Sequence, residues 1–301
     1  MKQTGVRLLV FGVLVAGMAV AEPVDYPTAR KAAAALAKAG RYENALKAFQ
    51  QMGETANTDD QKADAFEQAA MCAVRLKDNA RATQLAARIP LKPNANVVRM
   101  RILAKDRKYA ELIERYGTLD VSTWPRPIAG EALVHRGRAH AALRQGEPAA
   151  AALEQAVDWL PANTLRSEAQ LGLAQTYAGL LKDAEKALGA YQNLIAMETR
   201  RDRGGWKYYS GIIGAAGLQS RQGKHAEALA TLAAVDVAKT KGYWHVAMLV
   251  ARGEVHAAAG RTKQAVVAFT KALAEKGIAA HHKKRCEQRL SELQGRPANA
   301  P

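Results

Sequence analysis

Histidine and cysteine are the residues of this chain best suited to bind a metal, and three of them lie close together near its C-terminal end. His281, His282 and Cys286 fall within about one and a half turns of a predicted helix. Two of them are adjacent, and residues five apart on a helix point about 140° away from each other, so the spacing suits a metal site poorly. His135 and His140 are also five residues apart, so they suit a shared metal ion equally poorly. We favour the interpretation that none of them binds a metal, and that the C-terminal histidines lie on a solvated helix face.

Motifs of known catalytic sites are missing from the sequence. It contains no phosphate-binding loop, no His-Glu-x-x-His helix, no Cys-x-x-Cys pair and no Gly-x-Ser-x-Gly elbow. The glycine-rich stretch from Gly214 to Gly217 lies in the middle of a predicted helix, where close helix packing accounts for it. We therefore predict a protein that is not an enzyme, with no catalytic residues, no cofactor and no small-molecule substrate. An unrecognised hydrolase is the least favoured alternative.

A short segment in the second half of the chain interleaves cations with aromatic side chains. The run from Arg200 to Arg203 is basic, and Trp206, Tyr208 and Tyr209 follow it. Such a pattern is typical of contacts with nucleic acid or glycan. The alternative, which we favour, is a loop followed by aromatic residues that pack at the start of the next helix.

The elements that would position these residues are helices. Apolar residues recur at three- and four-residue spacing in nearly every segment, whereas the period-two alternation of strands is missing. A short turn followed by alanine and, four residues later, by a large apolar residue recurs along the chain. The clearest copies are the turns at Gly40, Gly223 and Gly260, with Ala45 and Phe49, Ala228 and Leu232, and Ala265 and Phe269 after them.

Weaker copies of this pattern complete a series of seven units. Turns near residues 40, 77, 107, 146, 182, 223 and 260 are separated by 37, 30, 39, 36, 41 and 37 residues, the size of a helical hairpin. In the weak fourth copy, Gly146 marks the turn and Ala151 takes the alanine place. The pattern resembles the tetratricopeptide repeat (TPR). In the last unit, the places of the family's Trp, Gly, Tyr, Ala and Phe are taken by Leu249, Gly253, His256, Ala265 and Phe269.

The resemblance implies an all-α fold, a right-handed α-α superhelix of about seven helix pairs between Tyr26 and Lys276. A C-terminal capping helix follows, from Ala279 to Leu293. Stacking is expected because each pair leaves an apolar face that it cannot bury alone. The rigid segment Trp124-Pro125-Arg126-Pro127 indicates a break near residues 118–128 that could divide the array into two subarrays.

The first 21 residues have the three zones of a secretory signal peptide. Lys2 and Arg7 precede an apolar run from Leu8 to Val20, which ends in small residues at Ala21. The run is about 13 residues long, whereas a membrane span takes roughly 20, so cleavage after Ala21 is favoured over an uncleaved anchor. We predict a periplasmic or secreted protein with a repeat domain over residues 22–294 and a disordered tail over 295–301.

The mature chain would be strongly basic. Cleavage removes Lys2 and Arg7 and no acidic residue, which lowers the formal net charge from +16 to +14. Such a charge favours anionic partners, which for an exported protein are acidic proteins, anionic lipid or cell-wall polymer. Cys72 and Cys286 lie in an early helix and in the last one, too far apart in a solenoid for a disulfide unless the superhelix curls its ends together, so we interpret both as packing residues.

The resemblance also implies where a partner would bind. In a TPR array the first helix of each pair lines the concave face, and counting back from the turns selects a mostly cationic set: Arg30, Arg75, Arg101, Lys105, Arg136, His140, Arg144 and Arg221. These residues would form a basic groove for an acidic peptide segment or a terminal carboxylate, since guanidinium pairs bidentately with carboxylate. Helix dipoles offer a competing explanation for cations in last turns, but not for Arg101, Arg136 or His140.

The predicted function is a non-enzymatic scaffold or adaptor that holds other proteins together in the cell envelope. The alternative is a basic surface that binds an anionic envelope polymer or, less favoured, nucleic acid. Steep weakening by salt would indicate the polymer, whereas groove recognition would keep a sequence-specific remainder.

Overall fold

A computed structural model describes residues 25–199 and 205–295, and all regular structure within these ranges is helical. The predicted all-α architecture is confirmed. The predicted signal peptide, the basic loop from Arg200 to Arg203 and the tail over 296–301 lie outside the described residues. The helices are α1 (Tyr26–Lys38), α2 (Tyr42–Thr55), α3 (Asp59–Arg75), α4 (Asn79–Ala87), α5 (Lys92–Lys105), α6 (Tyr109–Tyr116), α7 (Arg126–Ala142), α8 (Gly146–Trp159), α9 (Thr164–Thr176), α10 (Ala184–Thr199), α11 (Trp206–Arg221), α12 (His225–Ala233), α13 (Gly242–Ala258), α14 (Thr262–Ala274) and α15 (Ala280–Leu293).

The helices pair and stack as the repeat pattern predicts. Each odd-numbered helix from α1 to α13 packs against the even-numbered helix that follows it, which makes seven hairpins, and α15 packs on the last hairpin. Each odd-numbered helix also contacts the next odd-numbered helix. The result is an α-α superhelix in which every hairpin buries its apolar side against its neighbours.

Two buried residues twelve positions apart mark the crossing inside most hairpins, and a larger one usually follows four positions later. In the last unit these are Gly253, Ala265 and Phe269, and a Cβ on Gly253 would lie 2.7 Å from the Phe269 ring. Gly214 is equally crowded by the Tyr191 ring, which agrees with the packing role predicted for this glycine-rich stretch. The absent side chains let the two helices approach closely.

The fourth unit shows a two-residue error in the predicted register. Gly146 was expected at the turn and Ala151 at the crossing, but the left-handed turn residue is Arg144, with φ of 61°. Ala149 and Leu153 are therefore the fully buried crossing residues, while Ala151 is exposed. The error arose because glycine is the usual sign of a left-handed turn, and here a cation adopts that conformation.

The apolar core lies along the stack in three clusters of buried residues. Its first part runs from α1 to α5, its middle part from α5 to α11 and its last part from α11 to α15, so neighbouring parts share a helix. Val121 and Trp124 belong to the middle part, so packing continues across residues 118–128, where the sequence indicated a break. Cys72 and Cys286 are free thiols buried in the first and last parts, in keeping with the predicted packing role.

Candidate functional site

The odd-numbered helices lie side by side and form one face of the stack, which we call the odd face. Charged residues on it form ion pairs between neighbouring helices. Arg30 of α1 donates two hydrogen bonds to Asp64 of α3, at 2.6 and 2.9 Å. Arg138 of α7 donates to Glu168 of α9 at 2.8 Å, and the Lys207 ammonium of α11 lies 3.7 Å from the same carboxylate.

The most enclosed of these contacts joins α3, α5 and α7. Arg101 donates to Glu67 at 3.1 Å and to Glu131 through Nε at 2.9 Å and through Nη2. All three side chains are about three-quarters buried, since 26%, 22% and 22% of their surfaces are exposed. His135 is buried beside them, with Nε2 3.5 Å from Glu131. One arginine therefore faces two carboxylates in a poorly hydrated place and can compensate the charge of only one of them in full.

Burial and charge shift the pKa values of these groups in different directions. Burial raises the pKa of Glu67, and Arg101 offsets this only in part. Burial also acts to raise the pKa of Glu131, but the adjacent His135 imidazole and the Arg101 guanidinium outweigh it and hold that pKa at about 2. Burial lowers the pKa of His135, so the neutral imidazole is favoured there.

A final contact joins the last two odd-numbered helices. Glu254 of α13 accepts hydrogen bonds from Arg285 at 2.7 Å and from Arg289 at 3.1 Å, both on α15. We call the whole series the charge ladder. Its members are Arg30, Asp64, Glu67, Arg101, Glu131, Arg138, Glu168, Lys207, Glu254, Arg285 and Arg289. Positive and negative side chains alternate from helix to helix within each linked set.

Two residues of the predicted groove, Arg30 and Arg101, belong to the charge ladder. Both lie on the odd face, but each is matched by carboxylates of a neighbouring helix. The mostly cationic set selected from the sequence is thus accompanied by carboxylates, and the odd face has side chains of both signs. Complementary residues about one repeat apart in the sequence were a signal of this pairing, and the sequence interpretation missed it.

Arg136 and His140 do not extend the ladder. Arg136 donates to the Leu119 carbonyl, in the loop between α6 and α7, at 2.6 Å, and His140 Nδ1 lies 2.6 Å from the Gln145 side chain. The two-residue register error of the fourth unit explains the misplacement. Counting from the true turn residue selects Arg138, which the sequence interpretation missed and which does reach the next odd-numbered helix.

The other four predicted groove residues lie at one edge of the odd face. Arg75, Lys105, Arg144 and Arg221 are exposed in or beside the turns that join odd-numbered to even-numbered helices. Further exposed cations occupy the same seven turns. We call this set the basic edge: Lys38, Arg41, Arg75, Lys77, Lys105, Arg107, Lys108, Arg144, Lys182, Arg221, Lys224 and Arg261.

A cleft of about 540 Å³ opens on the odd face between α7, α9 and α11. Its apolar lining includes Leu153 and Leu171, while Arg144 and the half-exposed Trp206 lie at its margins. The chain forms a π-helical turn, Tyr177–Leu181, directly after α9, and residues of this turn line the cleft. Such turns insert one residue, and they are frequent at functional sites. A depression of about 590 Å³ on α10 lies on the outer side and is lined by that helix and the residue before it.

Aromatic and histidine rings form a row at the other edge, where α11, α13 and α15 begin. Tyr209 contacts Trp244, and Tyr243 contacts both Trp244 and His282, with ring centres 5.0 to 5.6 Å apart. His281 is exposed, as predicted for a solvated face, whereas His282 is partly covered by Tyr243. Among the described residues no group of three or more His, Cys, Asp or Glu side chains is arranged to bind a metal.

Comparison with known proteins identifies the fold. A tetratricopeptide repeat protein from Parabacteroides merdae superposes with a TM-score of 0.51 at 16% identity, covering 90% of this chain and 98% of that one. The C-terminal part of a TPR repeat-containing protein from Cytophaga hutchinsonii superposes with a TM-score of 0.50 at 14% identity, covering 84% and 98%. The chain has a TPR-like fold. No family model and no curated protein matches its sequence.

The TPR-like fold sets how the surfaces relate to one another. In TPR arrays the first helix of each pair lines the concave face; the odd face, with the charge ladder and the cleft, corresponds to that face, and the basic edge borders it. The second, third and fourth TPR-like units, which the sequence matched poorly, form the same hairpins as the others. Within the described ranges, no helix combines the length and the apolar composition needed to cross a membrane.

Proposed function

We propose that the protein is a non-enzymatic scaffold of the cell envelope that binds an extended segment of another protein in its concave channel. The observation that carries the proposal is the cleft between α7, α9 and α11. Repeat arrays use their extended concave faces for binding, and ligand sites are mostly apolar concavities with a few convergent polar groups. The cleft has both features, with Leu153 and Leu171 in its lining and Arg138 and Arg144 at its margin.

The chemistry of the cleft favours a segment that has one apolar side chain and one carboxylate. The missing side chains of Gly172 and Gly179 leave room for the apolar group. Arg138 is already paired with Glu168, whereas Arg144 is exposed and has no carboxylate partner among the described residues. Arg144 therefore binds an acidic side chain or the terminal carboxylate of the segment, and bidentate pairing fixes the orientation of that carboxylate.

Filling the cleft with a side chain of the protein itself is expected to abolish partner binding. In Gly179→Phe the new ring enters the cleft, while a Cβ at this position meets no atom within 4 Å, so the fold tolerates the change. Gly189→Phe on α10 is the matched control, because its Cβ is equally free and lies outside the cleft. A photo-crosslinking residue at Gln175 should capture a discrete envelope protein in the parent and in the control, but not in Gly179→Phe.

Two results of this experiment would contradict the proposal. One is equal capture in the Gly179→Phe and Gly189→Phe variants. The other is capture of the same protein by a crosslinker placed at Gln192, which lies on α10 outside the cleft. Circular dichroism should show the same helix content in all variants.

The envelope location is tested separately. The signal-like start of the chain supports export, with cleavage after Ala21. The protein isolated from the envelope fraction of its own cells is expected to begin at Glu22, as measured by N-terminal sequencing. Recovery in the cytosolic fraction with Lys2 retained would reject this part of the proposal.

A further inference from the structure

The seven turns of the basic edge share one backbone geometry. In each turn a single residue adopts the left-handed conformation, with φ between 57° and 77°, and the next residue is the N-cap or immediate start of the following even-numbered helix. Lysine or arginine occupies the left-handed position in four turns, at Lys77, Arg107, Arg144 and Lys182. The other three turns have glycine there and a cation directly after it, at Arg41, Lys224 and Arg261. Every turn therefore presents at least one cation.

Local folding preferences do not account for these cations. The left-handed conformation is unfavourable for residues other than glycine by roughly 1–2 kcal/mol. N-cap positions favour Ser, Thr, Asp or Asn, yet Arg41, Lys224 and Arg261 occupy them without any side-chain hydrogen bond to the helix. The dipole of the preceding helix favours a cation, but that of the following helix disfavours one at the same place. The cations of the basic edge therefore occupy these positions although the conformations of the turns do not favour Lys or Arg there.

The cations of the basic edge are also free to bind. All twelve are exposed, and among the described residues only Lys108 lies within 4 Å of a carboxylate, 3.8 Å from Glu111. The acidic residues of the same turns are engaged elsewhere: Asp78 and Asp183 cap helices, and Asp106 accepts hydrogen bonds from Asn79. This contrasts with the charge ladder, where each cation has an acidic partner.

We propose that the basic edge binds an unfolded, Asp- and Glu-rich segment of a protein partner. This rests on the proposed function, because Arg144 belongs both to the cleft and to the basic edge, so a segment bound in the cleft continues along this edge. Neighbouring turns are about 8–10 Å apart, the spacing of packed helices, and a stack of hairpins twists along its axis. A flexible linear polyanion follows such a row, whereas a flat membrane touches only part of it.

The distribution of aromatic residues favours an acidic protein over nucleic acid. Binding of single strands relies on exposed aromatic rings on which the bases stack. The well-exposed aromatic residues of the described chain, Trp206 and Tyr243, belong to the starts of odd-numbered helices and not to the turns of the basic edge, although Trp206 also lines the cleft. The basic edge offers charge and hydrogen-bond donors without such rings, which suits carboxylates.

The left-handed lysine and arginine residues allow a test that separates binding from folding. The triple variant Lys77→Gly, Arg107→Gly, Lys182→Gly removes three charges, leaves Arg144 in place and relieves backbone strain. We expect its Tm to rise by a few degrees. Its affinity for a labelled peptide of twenty glutamates, measured by fluorescence anisotropy at low salt, should fall about tenfold or more.

The matched control removes the same charge from other exposed sites. Lys31→Gln, Lys47→Gln, Lys271→Gln should weaken peptide binding less than twofold. Equal weakening in both triple variants, or none in the first, would overturn the proposal. If single-stranded DNA or polyphosphate of equal charge binds more tightly than the glutamate peptide at 150 mM salt (~8 Å Debye length), the partner is that polyanion and not an acidic protein.

Failure of this proposal can be told apart from failure of the proposed function. Gly179→Phe blocks the cleft but leaves the basic edge unchanged, so glutamate-peptide binding should persist in it. If the peptide does not bind the parent protein while crosslinking at Gln175 still captures a partner, the basic-edge proposal falls and the scaffold function stands. Peptide binding that is lost in Gly179→Phe would place the acidic segment in the cleft and reject the basic edge.

Discussion

Replacing Arg101 with Met is expected to destabilise the protein by about 2–4 kcal/mol at neutral pH. Breaking a buried ion pair typically costs 3–5 kcal/mol, and the residual exposure of these side chains reduces that figure. The loss arises because Glu67 and Glu131 stay enclosed without a cation to compensate them. Urea unfolding followed by circular dichroism measures the change in the free energy of unfolding.

The pH dependence of this loss has a definite sign. In the parent protein the lowered pKa of Glu131 contributes stability that is complete above the unfolded-chain value of about 4.3 and is lost as the pH falls below it. Without Arg101 both carboxyls take up protons at higher pH. The difference between parent and variant should therefore be largest near pH 7 and shrink as the pH falls toward 4.

The first ion pair of the charge ladder supplies the control. Arg30 makes an equally well-formed pair with Asp64, but its side chain is 47% exposed, so Arg30→Met should cost less than about 1 kcal/mol. Comparable losses for Arg30→Met and Arg101→Met would contradict the account based on burial. Replacing Glu67 and Glu131 with Leu in addition to Arg101→Met should restore most of the stability.

Replacing Phe269 with Ala is expected to cost about 3–5 kcal/mol, the usual loss for a fully buried phenylalanine. The ring fills the space beside Gly253, and glycine has no side chain that could fill the cavity left by its removal. The cavity weakens the last hairpin and its packing against α15, because in repeat arrays each unit is stabilised by its neighbours. Hydrogen exchange should therefore speed up most in α13, α14 and α15.

A neighbouring residue on the same helix provides the comparison. Val267 is 52% exposed, and Val267→Ala should change the free energy of unfolding by less than about 0.5 kcal/mol. Loss of protection spread evenly from α1 to α15 in the Phe269→Ala variant would argue against a local effect. Such a result would mean that the stack unfolds as one unit.

Most of the fold could be predicted because the hairpin pattern is local. A glycine turn, an alanine five residues later and an aromatic four residues after that are visible in the sequence wherever all three are present, as from Gly260 to Phe269. The prediction was wrong where another residue type replaces one of these three. Arg144 adopts the conformation for which glycine is the usual indicator, and the π-helical turn Tyr177–Leu181 adds a residue that no local pattern reveals.

The site was predicted less well because it depends on contacts between units. Whether Arg101 is free or paired is decided by Glu67 and Glu131, 34 and 30 residues away, and by how the helices stack. Counting from turns finds the helix face but not the partner of each charge. For the same reason Arg136 was selected in place of Arg138, since a shift of two residues turns a side chain about 200° around the helix.

The alternation of signs in the charge ladder makes the hairpins poorly interchangeable. A unit displaced by one place within a linked set, or contributed by a second molecule out of step, would bring arginine against arginine or glutamate against glutamate across the joint. A displacement by two places would restore attraction. Because α7 presents Glu131 to α5 but Arg138 to α9, the alternation restarts at the fourth hairpin, and recombined chains should assemble most readily when a hairpin is moved an even number of positions within its own linked set.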